Sequence, residues 1–191
     1  MDLLSGKGVG KGVTFDSGGL DLKPPQSMKE MKFDKSGAAA VLGIMKAVSE
    51  LKLEVNLVGL IPLVENLPSG NAYKPTDVMK MYDGTTVEVG DTDAEGRLIL
   101  ADALAYAVKN YEPELVIDLA TLTGAIVIAL GNHATGYFTN KEEISDLVER
   151  AAKESGEKVW RFPLWEEYYE QLKSEVADLC NVGGRAVSYT H

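Results

Sequence analysis

Val55 to Val64 reads Val-Asn-Leu-Val-Gly-Leu-Ile-Pro-Leu-Val, a nearly continuous apolar run. A strand this apolar leaves no face for water, and such strands occur where helices cover both sides of a parallel sheet. Leu115-Val116-Ile117-Asp118-Leu119-Ala120-Thr121 repeats the pattern further along. Helical segments lie around these runs. Ser36–Val48 is small at its start and apolar thereafter. Glu95–Lys109 places Leu98, Leu100, Ala101, Leu104, Ala105 and Val108 at helical spacing. Strands alternating with helices predict an α/β fold, a layered α/β/α domain around a mixed, largely parallel sheet.

The remaining segments fit that frame. Val13-Thr14-Phe15 is β-prone and is broken by Asp16-Ser17-Gly18-Gly19, whose glycines can take positive φ. Residues 66–76, rich in Pro, Gly and Asn, predict an ordered loop, and residues 77–89 a hairpin turning at Asp83-Gly84. A short helix over Leu122–Leu130, a strand over Gly136–Thr139, a helix to about Glu154, a strand at Val159–Phe162 and a helix at Trp165–Leu172 complete the expected order. Residues 1–9 read as a flexible leader. The Ser5-Gly6-Lys7-Gly8-Val9-Gly10-Lys11-Gly12 stretch is no phosphate loop, because Ser5 and Gly12 stand where that motif needs Gly and Ser/Thr. The dinucleotide fingerprint also fails, with Lys11 or Val13 at its third glycine. No repeat or internal linker divides residues 1–191, so one domain is expected.

The 191 residues carry a formal net charge of −10, which argues against nucleic acid or an anionic membrane as partner and suits a cation. No apolar run reaches the length of a membrane span. A single cysteine, Cys180, excludes an internal disulfide and fits a reducing, cytoplasmic setting. With only His133 and His191, a bound metal must be held mainly by oxygen.

The chemistry concentrates in Gly90-Asp91-Thr92-Asp93-Ala94-Glu95-Gly96-Arg97-Leu98. Asp91, Asp93 and Glu95 repel one another unless a cation or water screens them. The plain alternative is a helix start, with Asp93 as N-cap and Glu95 in the first turn. Asp34, just before the Ser36 helix, has the same alternative. In open α/β sheets, however, sites form beyond the carboxyl ends of strands. Asp16, Asp34, Asp93 and Glu95 could all meet there. Four carboxylates in one place call for positive charge, and two divalent ions ~3.5–4 Å apart would supply it. The reaction class this supports is metal-assisted hydrolysis.

Several blocks, in order along the chain, resemble the leucyl aminopeptidase (cytosol aminopeptidase) family of dizinc metallopeptidases. They are Gly10-Lys11-Gly12-Val13-Thr14-Phe15-Asp16-Ser17-Gly18-Gly19, Leu22-Lys23, Met31-Lys32-Phe33-Asp34, Ser36-Gly37-Ala38-Ala39, Glu65-Asn66-Leu67-Pro68-Ser69-Gly70-Asn71-Ala72-Tyr73, Thr92-Asp93-Ala94-Glu95-Gly96-Arg97-Leu98 and Thr121-Leu122-Thr123-Gly124-Ala125. The resemblance implies a phosphorylase/hydrolase-like catalytic domain that releases N-terminal, preferably leucine-like, residues from peptides. It implies two divalent ions, Zn or Mn, with Mg or Co admitted at the more exchangeable site. Asp16 and Glu95 would bridge them, Lys11 and Asp34 complete the tighter site, and Asp93 the exchangeable one. A lysine ligand must be deprotonated, which neighbouring cations favour. Lys23 would donate to the tetrahedral intermediate and Arg97 would hold a bicarbonate ion. Met31, Thr121 and Gly124 would line the pocket for the first side chain. Family members form hexamers.

The chain also departs from the family pattern. Gly6-Lys7-Gly8-Val9 stands where the family has an apolar strand, and Asp91 where it usually has Asn. The family's N-terminal domain and the later part of its catalytic domain have no counterpart in the 191 residues, and Ala186–His191 does not look like the family continuation. The expectation is a catalytic-domain fragment, metal-binding but weak or inactive as a peptidase, with homo-oligomerisation through exposed apolar surface. The rival is a non-catalytic metal-binding or oligomerising remnant of the same fold.

Overall fold

The computed structural model describes residues 5–183, so the 184–191 tail and residues 1–4 lie outside the described residues. The order of elements is β1 (Ser5–Gly10), β2 (Gly12–Asp16), α1 (Pro25–Met28), α2 (Ser36–Glu50), β3 (Asn56–Leu60), β4 (Leu63–Asn66), β5 (Val78–Lys80), β6 (Thr86–Glu88), α3 (Glu95–Tyr111), β7 (Leu115–Leu119), α4 (Ala125–Leu130), β8 (Thr135–Tyr137), α5 (Glu142–Ser155), β9 (Val159–Arg161), α6 (Glu166–Glu170) and β10 (Leu179–Cys180). A 3-10 turn, Met31–Phe33, precedes α2. The chain forms two compact units, one running to Leu122 and joined by Ser174–Val182, the other built on Thr123–Lys173. A single undivided domain was expected.

In the first unit β1 lies between β3 and β7, parallel to both. Ser5–Gly10, of which residues 5–9 were expected as leader, is therefore the central strand of this sheet. Glycine is a poor strand former and hides the pattern, but the alternation has a purpose. A Cβ on Gly8 would meet Val41, and one on Gly10 would lie 2.5 Å from the Gly37 carbonyl oxygen. A Cβ on Gly37 would lie 1.9 Å from the Leu119 carbonyl oxygen. Absent side chains thus let the start of α2 press against the backbones of β1 and β7. Lys7, Val9 and Lys11 alternate with the glycines and are buried. Lys7 reaches Tyr111 and Lys11 reaches Gly96, both on α3. Helices α2 and α3 therefore address opposite faces of β1, the layering that the alternation of elements implies.

The Val55–Val64 run is two strands rather than one. Pro62 cannot donate a ladder hydrogen bond, and the pairing breaks there, with β3 joined to β1 and β4 to β2. Nor is the run buried on both faces among the described residues. β3 is mostly half-buried, while Leu63 and Val64 are 58% and 36% exposed. The expected hairpin forms, with β5 antiparallel to β6 and Gly84 at φ +100° in its turn. Strand β10 extends it in parallel to β6. Met81, Val87 and Leu98 make a small core under this sheet, with Tyr73, Met79 and Leu179 around it. On α3, Leu98, Leu100 and Ala107 are buried, whereas Val108 is 57% exposed.

In the second unit β8 and β9 pair in parallel. Helix α5 packs on β9, and α4 on β8. Arg161 forms a two-pronged ion pair with Glu142, both contacts at 2.6 Å. Among the described residues no helix is long and apolar enough to cross a membrane.

Candidate metal centre

Lys11 occupies the break between β1 and β2, and Asp16 closes β2. Both therefore stand at carboxyl ends of parallel strands. Asp34 follows the 3-10 turn, and Glu95 opens α3. Neither Asp34 nor Asp93 is the N-cap of a helix, contrary to the plain alternative. The N-cap positions are Lys35 and Ala94, and neither makes a side-chain capping bond. The carboxylates turn instead toward the two lysines.

Lys11, 3% exposed, places Nζ 2.7 Å from Asp34 Oδ2 and 2.9 Å from Glu95 Oε1. The same Nζ donates to the Thr121 carbonyl at 3.0 Å. Thr121 Oγ1 donates to Asp34 Oδ1 at 2.7 Å. Lys23 Nζ lies 2.9 Å from Asp16 Oδ2 and also pairs with Asp93 Oδ1. One oxygen each from Asp16, Asp34 and Glu95 fall within 4.8 Å of one another, and all three residues are buried. The room for Lys11 comes from Gly96, where a Cβ would sit 2.5 Å from Lys11 Cε and 2.8 Å from Nζ.

The electrostatics follow from this burial. Loss of water pushes the Glu95 carboxyl up to about 7, with Lys11 opposing the shift. Desolvation also raises Asp93, again against its lysine partner. Burial acts to lower the Lys23 ammonium, but hydrogen bonds to Asp16 and Asp93 outweigh it and the net shift is upward. Burial lowers Arg97, whose nearest charges include Asp91, and no hydrogen bond or ion pair of its guanidinium forms among the described residues.

The donor set fits a divalent cation. Glu95 Oε2 is buried without a hydrogen-bond partner, and Asp34 Oδ2 and Glu95 Oε1 are approached only by the Lys11 ammonium. Four carboxylates face two lysines, leaving negative charge that burial makes costly. Oxygen donors of this kind suit a hard divalent ion such as Mn.

Of the expected site residues, Lys11, Asp16, Lys23, Asp34, Asp93, Glu95 and Thr121 converge. Met31 opens the 3-10 turn, and its carbonyl accepts the Asp34 N–H. Gly124 belongs to the second unit, at the N-cap of α4. Several residues carry no role in the sequence reading yet organise the site. Thr92, fully buried, donates through Oγ1 to the Gly18 carbonyl at 2.6 Å and through its N–H to Asp21 Oδ2 at 2.7 Å. Asp91 Oδ1 accepts the Asp93 N–H at 2.7 Å, a local turn that an Asn oxygen would serve equally. Asn181 Nδ2 donates to the Asp91 carbonyl. Tyr73 is raised by burial and by Glu95, so its hydroxyl stays protonated and donates to the Thr92 carbonyl. The polar side chains in the 65–73 block and at Asn181 were the available signal.

The model of the cytosol aminopeptidase family, catalytic domain, matches residues 7–191. The match runs through the tail that was expected to part from the family. A probable cytosol aminopeptidase of Chlorobium luteolum (strain DSM 273 / BCRC 81028 / 2530) is 58% identical over 177 residues, which is 93% of this chain and 35% of that protein. The chain thus spans about a third of the length of such relatives. Among solved structures, cytosol aminopeptidase from Coxiella burnetii aligns at 44% identity and TM-score 0.92, covering 98% of this chain and 42% of that one. The bottromycin maturation enzyme BotP in complex with Mn aligns at 42% identity and TM-score 0.93, with the same coverage. With the family match over nearly its whole length, the chain belongs to the cytosol aminopeptidase family and carries sequence of its catalytic domain.

Proposed function

We propose that the chain forms the metal-binding core of an aminopeptidase that releases N-terminal, preferably leucine-like, residues from peptides. The observation that carries this reading is the buried Asp16, Asp34 and Glu95 cluster with two lysines turned into it. Lys11, Asp16, Asp34 and Glu95 would hold one divalent ion, and Asp16, Asp93 and Glu95 a second. Zn or Mn fits both, with Mg or Co admitted at the Asp93 site; the Mn complex of BotP supports Mn. Bound metal supplies Lewis-acid polarisation of a carbonyl and a water of lowered pKa.

The chain's own residues supply the rest. Lys23 remains protonated beside Asp16 and Asp93 and can donate to the oxygen that becomes negative as the scissile carbonyl is attacked. The unpaired Arg97 guanidinium would hold bicarbonate, an acceptor for the proton released during attack. Thr121 keeps Asp34 oriented through its hydroxyl, and with Met31 it offers apolar surface to the first side chain of the peptide. Self-association and a cytoplasmic setting complete the reading.

Metal content after dialysis tests it directly. About two divalent ions per chain are expected, with hydrolysis of a leucine anilide weak or absent in this chain and, in a full-length protein carrying this sequence, abolished by Lys23→Ala and by Asp93→Ala. No retained metal overturns the reading. So does activity in both variants equal to that of the unsubstituted protein.

A further inference from the structure

Two neutral side chains grip both halves of the charged cluster. Asn66, at the end of β4, is 5% exposed. Its Nδ2 donates to Asp16 Oδ1 and to the Thr92 carbonyl, each at 2.9 Å. Both partners only accept, so the amide nitrogen must face them. The Gly18 N–H also donates to Asp16 Oδ1, at 2.9 Å. That oxygen is therefore occupied twice, and Oδ2 alone is turned to Lys23. On the other side, the Tyr73 hydroxyl donates to the same Thr92 carbonyl at 2.5 Å. Thr92 immediately precedes Asp93 and stands three residues before Glu95. One carbonyl thus ties the end of β2 to the loop that enters α3, through neutral donors that add no charge to the cluster.

We propose that Asn66 and Tyr73 are positioning residues for the metal centre. They hold Asp16 with a single oxygen free and fix the Asp93–Glu95 loop against it, so that the carboxylates stand ready before a cation arrives. The proposal rests on the metal-binding reading above. Removing either donor lets Asp16 rotate or the loop move. The loss then falls on cation affinity and geometry, because hydrogen bonds to ligating carboxylates set their orientation.

The test is titration of the chain with Mn2+ and the visible spectrum of its Co2+ form, for the unsubstituted protein, Asn66→Ala and Tyr73→Phe. Asn66→Ala is expected to weaken Mn2+ binding about 10–100-fold and to shift the Co2+ bands. Tyr73→Phe is expected to lose less in the same direction. A purely structural role would lower the melting temperature of the metal-free chain and leave the Co2+ bands in place. If the unsubstituted chain binds neither ion, the metal-binding reading and this proposal fall together. If it binds and both variants match it in affinity and spectrum, the proposal alone is overturned. Should Asn66→Ala not fold, Tyr73→Phe decides by the same two readouts.

Discussion

Gly96 has no side chain, and Lys11 uses the space. A methyl group there would overlap Lys11 Cε and Nζ, so Gly96→Ala is expected to push the amine out of the Asp34 and Glu95 pair. Divalent-ion affinity should fall by about tenfold or more, read by Mn2+ titration, while helix α3 itself favours alanine. Lys7 is the opposite case, a lysine 3% exposed whose Nζ meets the Ser5 hydroxyl at 3.3 Å and the Tyr111 ring at 5.4 Å. Neither contact is a counter-charge. Lys7→Met keeps the length of the side chain and removes the buried polar group, so stability should rise by about 1–3 kcal/mol, measured as a later urea midpoint. Residue identity alone separates neither case: both lysines sit in the same Gly-Lys-Gly setting, and only their neighbours differ.

At the scale of elements, the junction of α2 with β1 and β7 governs the site. The Ala38 N–H donates to the Lys11 carbonyl and the Lys11 N–H to the Leu119 carbonyl, both at 2.9 Å. These bonds hold the backbone of Lys11 between helix and strand. Gly37→Ala would drive a methyl into the Leu119 carbonyl. The expected cost is ~3 kcal/mol or more, seen as a lower melting temperature together with weaker metal binding. Strand β1 was illegible because strand signals rest on side chains, and here the packing requires glycine at alternate positions. The hairpin was legible because Asp83-Gly84 between short β-prone runs specifies a turn locally.

For the whole molecule, cation binding and folding are linked. An ion that binds only the folded state at 100 times its Kd adds ~2.7 kcal/mol, so Mn2+ should raise the melting temperature and a chelator should reverse the change. Large apolar side chains remain in water in both units, with Leu51 69% exposed in the first and Ile128 82% in the second. Sedimentation is accordingly expected to show species above the monomer mass. Much of the fold and site was already written in the chain. Apolar runs and helical spacing specified much of the order of strands and helices, and Asp16, Asp34, Asp93 and Glu95 marked ligand candidates because clustered carboxylates are costly without cations, while Lys11 and Lys23 entered only through the family resemblance. Tertiary structure decided what no local pattern carries. It made Ser5–Gly10 the central strand, divided the chain into two units, turned Asp34 and Asp93 from helix caps into lysine partners, and gave Asn66, Tyr73 and Thr92 their task. Each of these depends on contacts between residues far apart in sequence, and a carboxylate's partner is set by what the fold brings to it.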